Sequence, residues 1–279
     1  MCKRLLVTAC LMVLATTARG TNLQIEEVSF VSRGILLSGS IVFPVDQKPR
    51  AGVVFVHGSG KQTRNIRLAE KFAEFGIAAL VYDKRGVGSS GGSYEAAQPV
   101  SEKNLTLLAD DSHAALNALA AHTALENIPV GLSGISQAGW IVPLAAVKSE
   151  VVDFIVLWSA PVCKVSEEDI FSSYTSDVDG TKAPSYVEAL RARRTPYIWP
   201  DFLGDDTDPA VSLAKLDIPG LWIFGAKDGS VPTDLSIRRL EELQQAGHQY
   251  DYVLFSGVGH NNMRETFAVA ADWIKRSLN

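Results

Sequence analysis

Cysteine is scarce in this chain. Three occur in 279 residues, and two of them, Cys2 and Cys10, fall within the first ten. Beyond the N-terminal segment Cys163 stands alone, which excludes an internal disulfide there. No Cys/His cluster shows metal-ligand spacing, which argues against a bound metal. Cys163 follows an apolar run and reads as a small, semi-buried residue rather than a nucleophile. Strongly basic stretches are also missing, and the net charge is −5. Nucleic-acid binding needs clustered Lys and Arg, so nucleic acid is not expected as a partner. There is no internal repeat and no low-complexity linker. What is present is an ordinary globular balance, 47% hydrophobic and 20% charged, with enough apolar material for a sizeable core. The length allows one large α/β domain or two small ones.

The first twenty residues stand apart. Lys3 and Arg4 give a positive start, and Leu5 to Ala15 is apolar but too short to span a bilayer. Small residues follow at Thr16, Ala18 and Gly20. The segment 1–20 therefore reads as an export signal cleaved after Ala18 or Gly20, leaving 21–279 as the mature domain with no stable membrane insertion. A lipoprotein box at Val7-Thr8-Ala9-Cys10, anchored at Cys10, is the lesser alternative, because the apolar run before Cys10 is only five residues long.

Strand-like and helical patterns alternate along the rest. Ile25 to Val31 and Ile35 to Phe43 read as a hairpin about Arg33-Gly34. Ala51 to Val56, Ala78 to Tyr82, the run ending before Ser136, Phe154 to Trp158, Leu221 to Phe224 and Tyr250 to Phe255 read as further strands. Helical spacing covers Ile66 to Phe75, Leu105 to Leu119, the stretch after Ser136, Leu235 to Leu243 and Phe267 to Leu278. Such alternation predicts an α/β fold with a mainly parallel sheet covered on both faces. The rhythm breaks after Trp158. Residues from about 161 to 212 hold two helical patterns, Glu167 to Tyr174 and Tyr186 to Arg194. A stretch rich in Pro, Trp, Asp and Tyr follows. This insertion reads as a cap over the C-terminal edge of the sheet, where ligands of open α/β sheets bind.

The most informative stretch is IPVGLSGISQAG, Ile128 to Gly139. An apolar run ends in a small-residue turn with Ser136 at its tip, and an alanine-rich helical pattern follows. A strand–serine turn–helix unit forces the hydroxyl into an exposed, strained pose that suits a nucleophile. The string alone is weak. Average usage of Gly, Ser and Ala supplies it in roughly one chain in five of this length. The plain alternative is a serine capping a helix.

Five blocks, the turn itself among them, give it context. HGSG at His57 to Gly60, with Arg64 shortly after, resembles an oxyanion loop after a third strand. YDKRGVGSSGG at Tyr82 to Gly92 resembles the loop after a fourth. GISQAGW at Gly134 to Trp140 resembles a nucleophile turn. FGAKDGSVP at Phe224 to Pro232 and GVGHNN at Gly257 to Asn262 resemble acid and histidine loops. In these blocks, and across nearly all of the mature chain, the sequence resembles the α/β-hydrolases, and more narrowly the EstD-like bacterial serine esterases. Ala138 and Ile135 depart from the glycine and histidine common in that group; the first change is mild, and the second leaves the serine turn intact.

The resemblance implies an eight-stranded, mostly parallel sheet flanked by helices, and a Ser136–Asp228–His260 triad in the chain order of that fold. Among five histidines, His260 follows the last strand. His57 reads as a brace for its loop, His113 and His122 as helix residues, and His248 as a turn residue. Asp228 follows the strand LWIFG, whereas Asp153 precedes its strand and lies at the wrong end of the sheet. The backbone N–H groups of Ser59 and Gln137 are the expected oxyanion donors. Asp83, Lys84, Arg85 and Arg64 read as loop-fixing residues, and Trp140 as core. Tyr174, Tyr186, Tyr197, Trp199 and Phe202 are cap residues of which some should touch substrate. The implied protein is a secreted, periplasmic serine hydrolase of small carboxylic esters that needs no cofactor. A peptidase or amidase on the same machinery and a non-catalytic binding protein are the alternatives.

Overall fold

The computed structural model describes residues 22–277; the export signal, the Cys10 alternative and the cleavage position lie outside them. Eight strands run β1 (Leu23–Ser32), β2 (Ile35–Pro44), β3 (Ala51–Val56), β4 (Ile77–Tyr82), β5 (Val130–Ile135), β6 (Phe154–Trp158), β7 (Gly220–Gly225) and β8 (Tyr250–Phe255). They form one sheet in the order β1-β2-β4-β3-β5-β6-β7-β8. The pairs β1–β2 and β2–β4 are antiparallel, and every pair from β4 onward is parallel. This is the α/β-hydrolase arrangement expected from the sequence.

The hairpin turns at Arg33 and Gly34, with φ of 46° and 74°. Paired left-handed residues match the natural twist of the flanking strands. β3, β4, β6 and β7 are buried along their whole length. Continuous apolar runs of this kind survive only with helices on both faces.

Those helices are α1 (Ile66–Glu74), α2 (Glu102–Ala120), α3 (Ala138–Ala146), α7 (Thr233–Gln245) and α8 (Met263–Ser277). On one face Leu105 and Leu116 of α2, Ile141 of α3 and Leu240 of α7 pack on Val54, Leu132 and Leu157. On the other, Phe72 of α1 meets Phe267 of α8 edge-on at 4.7 Å, and Phe267 stacks on Trp158 at 6.0 Å. The helix starts follow their caps. Ser101 accepts from Asn104 N and begins α2 three residues before the apolar pattern does. Asn65 accepts from Leu68 N and begins α1.

Between β6 and β7 lies the cap insertion. It holds α4 (Val165–Thr175), α5 (Tyr186–Ala192) and a third helix, α6 (Pro209–Leu213), which apolar spacing does not reveal. Asp208 caps α6, and Pro209 opens it. Ser185 and Glu188 form a reciprocal capping box on α5. Among the described residues no helix is long and apolar enough to cross a membrane.

Candidate active site

Ser136, Asp228 and His260 each follow the C-terminal end of a strand, β5, β7 and β8 respectively. Ser136 sits at φ 56°, a left-handed conformation that is costly for a residue with a side chain. Its turn is held by Ser136 N donating to Trp158 O at 3.1 Å and Gly139 N donating to Ser136 O at 2.8 Å. The small neighbours are obligatory. A Cβ on Gly134 would lie 2.4 Å from the Ala138 Cβ, and one on Gly139 would lie 2.5 Å from the Pro161 ring.

Asp228 is fully buried. Its Oδ1 accepts from Ser230 N and Val231 N, each at 2.9 Å. Both of its carboxylate oxygens lie 3.0 Å from Nδ1 of His260. A proton on Nδ1 leaves Nε2 with a free lone pair. Burial disfavours the charged imidazole. The hydrogen bond and charge of Asp228, with Asp179 and Asp177 nearby, outweigh it and raise the His260 pKa above 6.5.

The histidine loop is also tied to the neighbourhood of the Ser136 turn. Asn262 Nδ2 donates to Ser159 Oγ at 2.9 Å and to Gly259 O at 3.0 Å. Ser159 directly follows Trp158, whose carbonyl holds Ser136 N. The HGSG loop closes on the same turn: a Cβ on Gly58 would lie 3.5 Å from Ser136 Cβ. Ser59 is exposed beside it, and Gln137 is buried.

A model of the family "Serine aminopeptidase, S33" matches residues 47–200, more than half of the chain. The chain belongs to that family. It is therefore a hydrolase of the α/β-hydrolase fold. The match includes Ser59, Ser136 and Gln137 and ends before Asp228 and His260. Among solved structures, this S33 hydrolase is similar to the esterase Pf2001 of Pyrococcus furiosus. Identity is 16% and the TM-score 0.67, covering 92% of each chain. It is also similar to acetyl xylan esterase 1 of a Thermoanaerobacterium species at 13% identity and TM-score 0.65, over 94% of this chain and 90% of that one. The acylaminoacyl peptidase of Pyrococcus horikoshii gives 17% and 0.68, over 94% of this chain and 42% of that longer one. At these identities the likeness is one of fold. No curated protein matches the chain in sequence.

The other histidines of the S33 hydrolase are occupied elsewhere. His57 is buried edge-on against Tyr82 at 4.7 Å, and burial together with the Lys84 charge lowers its pKa to about 4. His113 pairs with Asn117, His122 with Glu26, and His248 bonds Leu216 O while stacking on Tyr250. Asp153 accepts from Val130 N at the opposite edge of the sheet. Cys163 is buried outright rather than half-buried, and burial pushes its thiol pKa well up. Trp140 is core, donating Nε1 to Cys163 O at 2.8 Å.

Asp83 holds the Arg64 guanidinium and the backbone N–H groups of Arg64 and Ser89. Arg85 makes a two-point ion pair with buried Asp111. Both fix their loop as expected, whereas Lys84 turns toward the Ser136 turn.

The cap aromatics divide. Tyr197 donates to Asp169 and Trp199 to Gly204 O, Tyr186 packs within the cap, and Tyr174 and Phe202 are exposed. Asp179, in the cap segment after α4, takes the backbone N–H groups of Gly229 and His260. Nothing in the sequence pattern marks it. A groove of about 690 Å³ beyond this segment is lined by Lys182, Glu188, Thr233 and Asp234 and includes neither Ser136 nor His260. Among the described residues no three His, Cys, Asp or Glu side chains are grouped to hold a metal ion.

Proposed function

We propose that this S33 hydrolase cleaves small carboxylic esters through Ser136, His260 and Asp228. The observation that carries the reading is the buried Asp228 carboxylate holding Nδ1 of His260 at 3.0 Å from both oxygens. That contact selects the tautomer whose Nε2 can accept a proton.

Ser136 Oγ attacks the ester carbonyl carbon as Nε2 of His260 takes its proton. The carbonyl π pair moves to the oxygen, and the backbone N–H groups of Ser59 and Gln137 receive that oxyanion. When the intermediate collapses, the carbon–alkoxy bond breaks and the alcohol leaves with the proton from His260. Water then attacks the acyl-enzyme by the same route and releases the acid. The basic and apolar start of the chain supports export to the periplasm.

Amide cleavage at the same serine is the second reading. Asp177 and Asp179, after α4, favour it: both act on His260 as negative charges, so a substrate ammonium would meet negative charge beside the proposed base.

A fluorophosphonate probe with peptide mapping tests the nucleophile. Label on Ser136 is expected, and label elsewhere or none on folded protein overturns the mechanism. Rates on p-nitrophenyl esters beside aminoacyl p-nitroanilides decide between ester and amide.

A further inference from the structure

Lys84 is 3% exposed, and its ammonium has three neutral acceptors. Nζ donates to Gly58 O at 2.8 Å, to Gln137 Oε1 at 3.0 Å and to Gly60 O at 3.3 Å. Three donors meet three acceptors. No carboxylate lies within ion-pair distance of it among the described residues. A charge buried without a counter-charge is costly, and a neutral side chain would serve a purely structural brace better.

The identity of the acceptors gives the charge a use. The Gly58 carbonyl and the Ser59 N–H belong to one trans peptide unit, so they point in opposite directions. An ammonium gripping Gly58 O sets the rotation of that plane and so the direction of the Ser59 N–H. It also polarises the unit, strengthening the N–H as a donor. On the other side Lys84 holds the side chain of Gln137, whose amide Nε2 donates to Pro99 O at 2.9 Å. One cation thus joins the two residues whose N–H groups would receive an oxyanion.

We propose that Lys84 is a positioning residue of the oxyanion hole. It orients the Ser59 peptide through Gly58 O and anchors the Gln137 side chain beside it, and its charge is matched only when the substrate oxygen becomes negative. The proposal rests on the Ser136 reading above.

The groups facing Lys84 are His57 and the ring of Tyr94, 5.9 Å from Nζ, with Lys61 over the same ring and Asp83 next in the chain. Burial lowers the Lys84 pKa to about 8. Loss of that proton leaves two donors for three acceptors and removes the charge. The hole weakens, and kcat falls with an alkaline limb.

The test measures kcat and KM on a p-nitrophenyl ester from pH 5 to 10 for the full chain, Lys84→Met and Lys84→Arg. Circular dichroism and fluorophosphonate labelling of Ser136 run alongside. Lys84→Met should lose about 10²–10³-fold in kcat, the cost of one oxyanion donor, with KM changed less than about threefold. Its alkaline limb should vanish. Lys84→Arg should recover part of kcat and carry no limb near pH 8. Wild-type kcat in folded Lys84→Met, or a lowered kcat with the limb intact, overturns the proposal. Should Lys84→Met not fold, a wild-type profile flat through pH 8 together with an unaltered Lys84→Arg overturns it. Absence of label on Ser136 in the wild type overturns the mechanism instead, so the two failures are distinct.

Discussion

Both carboxylate oxygens of Asp179 accept the backbone N–H of His260, at 3.1 and 3.0 Å. Oδ1 also accepts Gly229 N at 2.9 Å. One cap residue therefore holds the loop of the proposed base and the loop of its acid. The contact is close enough to dictate glycine on both loops. A Cβ on Gly259 would lie 1.9 Å from Asp179 Oδ2, and one on Gly229 would lie 2.1 Å from Val178 O. The neighbouring backbone continues the seam, with Gly180 N donating to Lys227 O and Ala183 N to Ala226 O.

Asp179→Ala should lower kcat by about 10²-fold, the cost of displacing a reacting group by an ångström. Asp179→Asn keeps an acceptor but removes the charge, so it should retain most of kcat and alter the pH profile. In the wild type, activity should rise as His260 loses its proton, with a midpoint above 6.5. Asp228, Asp179 and Asp177 all favour the charged ring, so removing one charge moves the midpoint to lower pH. Stability has the opposite sign. The raised folded pKa contributes stability that is complete below 6.5 and is lost as pH rises through the folded value. Profiles of kcat/KM against pH check the first effect, and thermal melts across the same range check the second.

Asp228→Asn should lower kcat by about 10⁴-fold while the chain stays folded. The Asn side-chain oxygen can still accept Ser230 N and Val231 N. What it loses is a second acceptor for His260 Nδ1, and with it the tautomer. Single-turnover ester cleavage measures the loss, and near-UV circular dichroism monitors the fold.

Gly134→Ala should be destabilised by about 1–3 kcal/mol, the usual cost of overpacking. The added methyl meets the Ala138 Cβ at 2.4 Å and Val56 O at 2.7 Å, and neither is a flexible side-chain end. The Ser136 turn must shift to relieve it, so labelling by fluorophosphonate should slow at temperatures where the variant is still folded. A denaturant titration and a labelling time course test the two parts.

The strands along the chain and the position of each motif loop are legible because buried parallel strands carry continuous apolar runs, whereas the order β1-β2-β4-β3 across the sheet leaves no mark in the sequence. β3, β4 and β6 match their expected ranges to within a residue. Helix starts were less legible. α2 begins at Ser101's cap rather than at the first apolar position, and α8 begins at Met263, four residues before Phe267. α6 is five residues long, too short to show a period. Asp179 carries no sequence signal because its partners are backbone N–H groups 50 and 81 residues away, which have no side-chain signature. In the sequence Lys84 reads as loop-fixing because a lysine in a polar loop has the same appearance whether its end reaches solvent or three carbonyl oxygens.

The seam between residues 175–183 and the acid loop divides the insertion into two regimes of heritable change. On the proposed mechanism, substitutions there would act on His260 as much as on any substrate, and drift in that segment should cost turnover. The exposed stretch around Ile198 and Phe202 has no such tie. Changes of substrate preference should therefore accumulate there, leaving the chemistry of the sheet edge untouched.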